Sequence, residues 1–220
     1  MRVGVLGSGM VGRTIASRLL ELGHQVRMGS RTTGGPAGQW AADAGESASA
    51  GDFADAAAFG ELVISATAGA RSLDALAQAG AATLASKVLL DVSNPINPAG
   101  EPRAVTLTVA NTDSLAEQIQ RAFPEARVVK ALNTMNCAVM VRPETVPGEH
   151  VVFVSGDDHQ AKQAIAQLLE SFGWPASRII DLGALVTARG TESYLLLWLA
   201  ISQAVGQGQF NIAIAHVPAG

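Results

Sequence analysis

Apolar residues in this chain gather in short blocks separated by stretches with helical spacing. Val3-Gly4-Val5-Leu6 is a compact apolar run closed by glycines, the pattern of a strand buried on both faces of a parallel sheet. Val11, Ile15, Leu19 and Leu22 then recur at helical intervals, and Gly23 supplies a residue able to end that helix. Residues 25–29 read as a second strand, which completes a βαβ unit of about thirty residues. Later blocks predict strands over 61–66, 87–92, 127–132, 150–155 and 178–182. Helices are predicted over 73–84 (interrupted at Gly80), over 114–123, and from Asp157 or Asp158 to Phe172. The Ala-rich stretch 37–58 is helical in propensity, with breaks at Gly45 and Gly51. Repeated strand-then-helix segments predict an α/β fold, a doubly wound, mostly parallel sheet of Rossmann type.

The texture changes after Gly183. An apolar helix over about 185–205 leads into a Gly/Gln loop and a last segment over 210–217, together expected to form a small helical C-terminal cap. The expected division is a Rossmann-type domain over 1–183, with the cap over 184–220 packing on it. Trp198 and the leucines around it are read as core or as a subunit interface, and the second option would make a homodimer. Arg189 and Glu192 are expected to form an exposed i,i+3 pair, with a position facing the crevice as the alternative.

Composition narrows the class. The chain has 220 residues, 48% hydrophobic and 15% charged, with a net charge of -4. Such a chain can bury a full core, and without a run of Lys or Arg it does not suit nucleic acid or an anionic membrane surface. The longest apolar stretch, 194–201, is far short of the roughly 20 residues that span a bilayer. Cys137 is the only cysteine and sits among apolar residues, so it reads as a buried small hydrophobe in a reducing, cytoplasmic setting. His24, His150, His159 and His216 are scattered singly, which does not suggest a metal site.

The strongest motif is Gly7-Ser8-Gly9-Met10-Val11-Gly12, set between a predicted strand and a predicted helix, as a dinucleotide-binding turn requires. Gly7 permits the tight turn, Gly9 lets the backbone approach a pyrophosphate, and Gly12 allows close helix–strand packing. The end of the second strand selects the nucleotide. An NAD site usually places a carboxylate there for the ribose 2′-hydroxyl, yet residues 25–42 contain no acidic residue. Ser30-Arg31-Thr32, with Arg27 nearby, offer instead a guanidinium and hydroxyls suited to a 2′-phosphate, which points to NADP(H). Ala66 and Thr67, and Asn94 and Pro95, end strands where a doubly wound sheet places its crevice, and Asn94 could hold a nicotinamide ribose or carboxamide.

The opening segment Arg2 to Gly12 and Gly29-Ser30-Arg31, with Val128-Val129-Lys130-Ala131-Leu132-Asn133-Thr134, Ser155-Gly156-Asp157-Asp158 and Gly208-Gln209-Phe210-Asn211, resemble the NADPH-dependent F420 reductase family. The resemblance spans nearly the whole chain. It implies an NADP(H) oxidoreductase that exchanges hydride with the deazaflavin coenzyme F420 or a flavin-like co-substrate. It implies further that Ser8, Ser30 and Arg31 hold the 2′-phosphate, and that 131–134, with Ala131 and Asn133, line the place where deazaflavin stacks on nicotinamide. Asn133 stands where archaeal members carry a His. Residues 206–210 are expected to close over the acceptor.

Hydride transfer between two planar rings needs stacking and exclusion of water rather than a strong acid, so no catalytic side chain is assigned. Two other readings stay open, an NADPH-dependent reductase of a small imine or keto substrate and a dinucleotide sensor without turnover. The first would want a Lys or His to protonate the product, and the only lysines are Lys87, Lys130 and Lys162.

Overall fold

The computed structural model describes residues 1–32, 34–100 and 104–215. Thr33, His216 and the end of the segment expected over 210–217 lie outside the described residues. The first half of the chain runs β1 (Arg2–Leu6), α1 (Met10–Glu21), β2 (Gln25–Gly29), α2 (Pro36–Ala44), β3 (Ala48–Gly51), α3 (Phe53–Phe59), β4 (Leu62–Ser65), α4 (Ser72–Ala79), α5 (Ala81–Leu84) and β5 (Val88–Asp91). The second half runs α6 (Leu115–Ala122), β6 (Arg127–Ala131), α7 (Cys137–Val141), β7 (Val152–Gly156), α8 (His159–Phe172), β8 (Ile179–Asp181) and α9 (Ala188–Val205). The strands form one sheet in the order β3-β2-β1-β4-β5-β6-β7-β8. Every neighbouring pair is parallel except β6 and β7, which run antiparallel.

Alternation along the strands divides the core into two layers. Val3, Val5, Ile64, Leu90 and Val129 face one side, packed with Ile15 and Leu19 of α1, Trp40 of α2, and Ile165, Leu169 and Phe172 of α8. Leu6, Val63, Leu89 and Val128 face the other, with Phe53 of α3, Leu76 of α4, and Leu115 and Ile119 of α6. Helix ends follow local chemistry. Asp158 accepts from the Ala161 N–H at 2.7 Å to start α8, and Gly173 ends it at φ 108°. Asp52 and Asp55 form a reciprocal capping box at the start of α3.

The stretch 37–58 is not one broken helix. It holds α2, the edge strand β3 and α3. Ala48-Ser49-Ala50-Gly51 has no β-branched residue to announce a strand, and what makes it one is parallel pairing with β2, Val26 opposite Ala48. The strand expected from His150 starts at Val152, while His150 bridges to Ala213 in the tail and its ring is held by the Pro143 and Val146 carbonyls. The helix expected from Leu185 begins with a 3-10 turn, Leu185–Thr187, before α9. Along α9, Leu195 is buried, whereas Leu196 and Leu197 are exposed and Trp198 stacks on Phe210 with ring centroids 5.4 Å apart. Among the described residues no helix is long and apolar enough to cross a membrane.

Candidate functional site

The chain steps outward from β1 to β2 and β3, then returns to the other side of β1 as β4, so the loops leaving β1 and β4 diverge and open a crevice. A cavity of about 700 Å³ lies there. Its walls include Gly7, Ser8, Gly9, Ser30, Arg31, Thr32, Ala66 and Thr67, all expected from sequence, joined by Phe53, Arg71, Asp74 and Gln78, which were not.

The three glycines differ in what demands them. Gly7 sits at φ +118°, and a Cβ there would lie 2.5 Å from the Ala66 carbonyl oxygen. A Cβ on Gly12 would lie 1.9 Å from the Gly7 oxygen, where helix meets turn. At Gly9 a Cβ would meet no protein atom within 4 Å. Packing therefore explains the first two and not the third, whose bareness leaves open space beside the start of α1. That helix has no side-chain cap and no acidic residue in its first turn, so its leading N–H groups and positive dipole end are available to an anion. Met10, 65% exposed, and the half-buried Val11 form this first turn. A bare cradle next to free N–H donors fits a pyrophosphate.

At the β2 end of the cavity the expected phosphate ligands separate. Ser30 is buried, and its hydroxyl donates to the Thr32 carbonyl at 2.7 Å. Arg31 and Thr32 are exposed, and Arg31 has no ion-pair partner among the described residues. Arg27 is turned away: its Nε donates to Ser49 Oγ at 3.1 Å, and its guanidinium lies over the Phe59 ring.

Asn94, Pro95 and Asn133, expected at the site, do not line this cavity; Asn94 and Asn133 instead lock together. Asn94 Nδ2 donates to the Asn133 carbonyl at 2.7 Å, and Asn133 Nδ2 donates to Asn94 Oδ1 at 3.0 Å. The loops after β5 and β6 are thus tied through Asn94 and Asn133, with Pro95 next to the pair. A hydroxyl chain runs from Thr67 to Ser72 at 3.0 Å and from Ser72 to Ser93 at 3.2 Å. Ala131 is not brought to the crevice wall. Its methyl lies in the core layer with Val129 and Val154, and the chain turns only at Leu132, with φ 66°. In the tail, Gly208 lies beside Trp198, and a Cβ on it would lie 3.7 Å from Asn136 Nδ2, at the start of α7; none of the three lines the cavity.

Residues 2–95 match the family described as NADP oxidoreductase, coenzyme F420-dependent. A solved chain from Arthrobacter sp. FB24, provisionally assigned as an F420-dependent NADP reductase, is 47% identical, with 97% of this chain and 99% of that one covered and a TM-score of 0.92. This chain belongs to the coenzyme F420-dependent NADP oxidoreductase family. It is accordingly an NADP-dependent oxidoreductase. The metalloreductase STEAP3 of Rattus norvegicus is 31% identical over 198 residues, 87% of this chain and 36% of that protein, so the chain spans about a third of that curated relative. An imine reductase from Bacillus cereus shares the fold at 19% identity and a TM-score of 0.65, covering 93% of this chain and 62% of its own.

In this family member a buried charge cluster that sequence reasoning missed lies at the ends of β5 and β6. Lys130, wholly buried, donates to Asp91 Oδ2 at 2.8 Å and to the Ser93 carbonyl, and pairs with Glu192 Oε1 at 2.8 Å. Glu192 is also buried and accepts from the Leu115 and Ala116 N–H groups at the start of α6. The expected Arg189–Glu192 pair does not form, because Arg189 reaches Glu117 on α6 instead, at 2.6 Å. An exposed i,i+3 pair is worth a few tenths of a kcal/mol, whereas Glu192 in the interior balances an ammonium and satisfies two helix N–H groups. Burial acts to lower the Lys130 pKa, but the Asp91 and Glu192 carboxylates more than reverse this and leave it raised. The one available signal was Lys130 itself, a lysine inside a strand otherwise read as buried.

Proposed function

We propose that the protein transfers hydride between NADP(H) and a deazaflavin of the F420 type, or a flavin-like ring, in the cytoplasm. The α1 N-terminus and Gly9 hold the pyrophosphate; Arg31, with Thr32 and Ser8, holds the 2′-phosphate; Asn94, braced by Asn133, orients the nicotinamide end. When bound, the nicotinamide ring supplies or accepts the hydride. The observation that carries the acceptor reading is the state of Lys130. It stands next to the end of β6, and it is buried, charged and held by two carboxylates, so it does not offer a proton to a substrate. Beyond the ends of β4, β5 and β6 stand the hydroxyls of Thr67 and Ser93 and the amides of Asn94 and Asn133, and ring-to-ring hydride transfer needs no stronger acid. The 47% identity to the Arthrobacter chain over nearly its whole length supports the same acceptor.

Two measurements test this. Replacing Arg31 with Ala should weaken NADPH by roughly 1.5–3 kcal/mol, as for a charge-assisted contact, and leave NADH nearly unchanged. NADPH oxidation should then be followed with deazaflavin, free flavins, simple carbonyls and cyclic imines. Turnover of deazaflavin or flavin is expected. Turnover confined to carbonyls or imines would replace this acceptor, and tight NADPH binding with no turnover would favour a sensor.

A further inference from the structure

We infer that Arg71 provides a second cation for the nucleotide's 2′-phosphate and so helps to set the preference for NADPH over NADH. This rests on reading the cavity as the NADP(H) site. A 2′-phosphate carries about -1.5 to -2 near neutral pH, more than one guanidinium balances. On the β2 side Arg31 is the only cation facing the cavity among the described residues, since Arg27 is bound to Ser49 and Phe59. Ser30 does not add a free donor, because its hydroxyl proton goes to Thr32. The charged side chains lining the cavity among the described residues are Arg31, Arg71 and Asp74.

Arg71 reaches the cavity from the opposite wall, and its backbone is fixed. It ends the turn Gly69–Arg71 after β4. Gly69 packs against the loop after β5 so closely that a Cβ would lie 2.0 Å from the Asn94 oxygen. Ser72, the next residue, is fully buried with its hydroxyl bonded to Thr67. The side chain, in contrast, is 74% exposed, and its one ion pair among the described residues is a long contact of 3.6 Å to Asp74, itself 67% exposed. A pair of that kind contributes little, so exchanging the carboxylate for a phosphate costs little. The charge-assisted bond to phosphate is the stronger of the two. Asp74 then acts as the competitor that holds the guanidinium when no nucleotide is present.

The test is calorimetric titration of NADPH and NADH into the whole protein and its Arg71→Ala, Arg71→Lys, Asp74→Asn and Arg31→Ala variants, with circular dichroism as the folding control. Arg71→Ala should weaken NADPH about tenfold and leave NADH within about twofold. Arg71→Lys should recover part of the loss, as a point charge without the planar fork. Asp74→Asn should tighten NADPH and not NADH. Equal losses of both nucleotides in Arg71→Ala would place Arg71 on the adenine or pyrophosphate and overturn the inference. Unchanged affinity for both would overturn it too. If Arg31→Ala also leaves the NADPH preference intact, the site reading itself has failed; if Arg31→Ala abolishes the preference while Arg71→Ala does not, only the role of Arg71 has failed.

Discussion

At the scale of single residues, the glycine turn separates what the fold needs from what a ligand needs. Gly12→Val should destabilise the protein, since the Gly7 backbone oxygen occupies the space of its Cβ. Gly9→Val should fold normally, because its Cβ meets nothing, and should lose NADPH binding, because that open space is the proposed pyrophosphate cradle. Circular dichroism and titration of the pair check this, and a folded Gly9→Val that binds NADPH as tightly as the parent would remove the cradle. This end of the site was legible in the sequence because glycine spacing reports backbone geometry directly. The roles within Ser30-Arg31-Thr32 were less so: nothing in the string shows that Ser30 donates inward to Thr32 while Arg31 stays exposed. Ala131 shows the same gap. Which face of β6 a residue occupies depends on register with β5 and β7, and that register turns its methyl into the core.

At the scale of elements, long periodic segments were legible, and elements made by tertiary contact were not. β3 exists through pairing with β2, and α7, five residues capped by Asn136 at 3.0 Å, is too short to show a period. The hold of α9 on the sheet was hidden for another reason, as Glu192 looks like a surface residue until the partners of Lys130 are known. Lys130→Met should cost about 3–5 kcal/mol in urea unfolding, because it leaves Asp91 and Glu192 buried without their cation. A loss below 1 kcal/mol would mean the cluster is not the anchor. The Lys130 pKa is raised in the fold, so its contribution is fully present below the ordinary lysine value of 10.5 and is lost as pH climbs through the raised value. Acid acts at the start of α6. There Arg121 hydrogen-bonds Asp113 through both carboxylate oxygens and lowers its pKa from 3.8 to about 2. The stability it supplies is present above pH 3.8 and fades as the pH falls toward 2. Asp113→Asn should flatten that part of the pH–stability curve, and an unchanged curve would show the pair to be inert.

At the scale of the molecule, the sequence carried the doubly wound plan because each strand block was followed by a helix block, and the crevice follows from the reversal of strand order beside β1. It did not carry the antiparallel turn from β6 to β7. The connection between them holds only α7 and a 3-10 turn, too little helix for the usual right-handed crossover, so β7 returns beside β6 in the opposite sense. The cradle at Gly9 belongs to the folded sheet, since it needs β1, α1 and the β4 loop together. NADPH should therefore bind the native state and not the unfolded chain. At a free concentration of about 100 times its Kd this linkage adds about 2.7 kcal/mol. For a chain of 220 residues each kcal/mol moves Tm by about 2–4 °C, so a rise of about 5–11 °C is expected in a thermal melt. NADH at the same concentration should give a smaller rise, because it lacks the 2′-phosphate that Arg31 is proposed to hold. Gly9→Val should give none with either nucleotide. Equal shifts from NADPH and NADH would mean the 2′-phosphate is not read by this cavity, whatever the glycine turn binds.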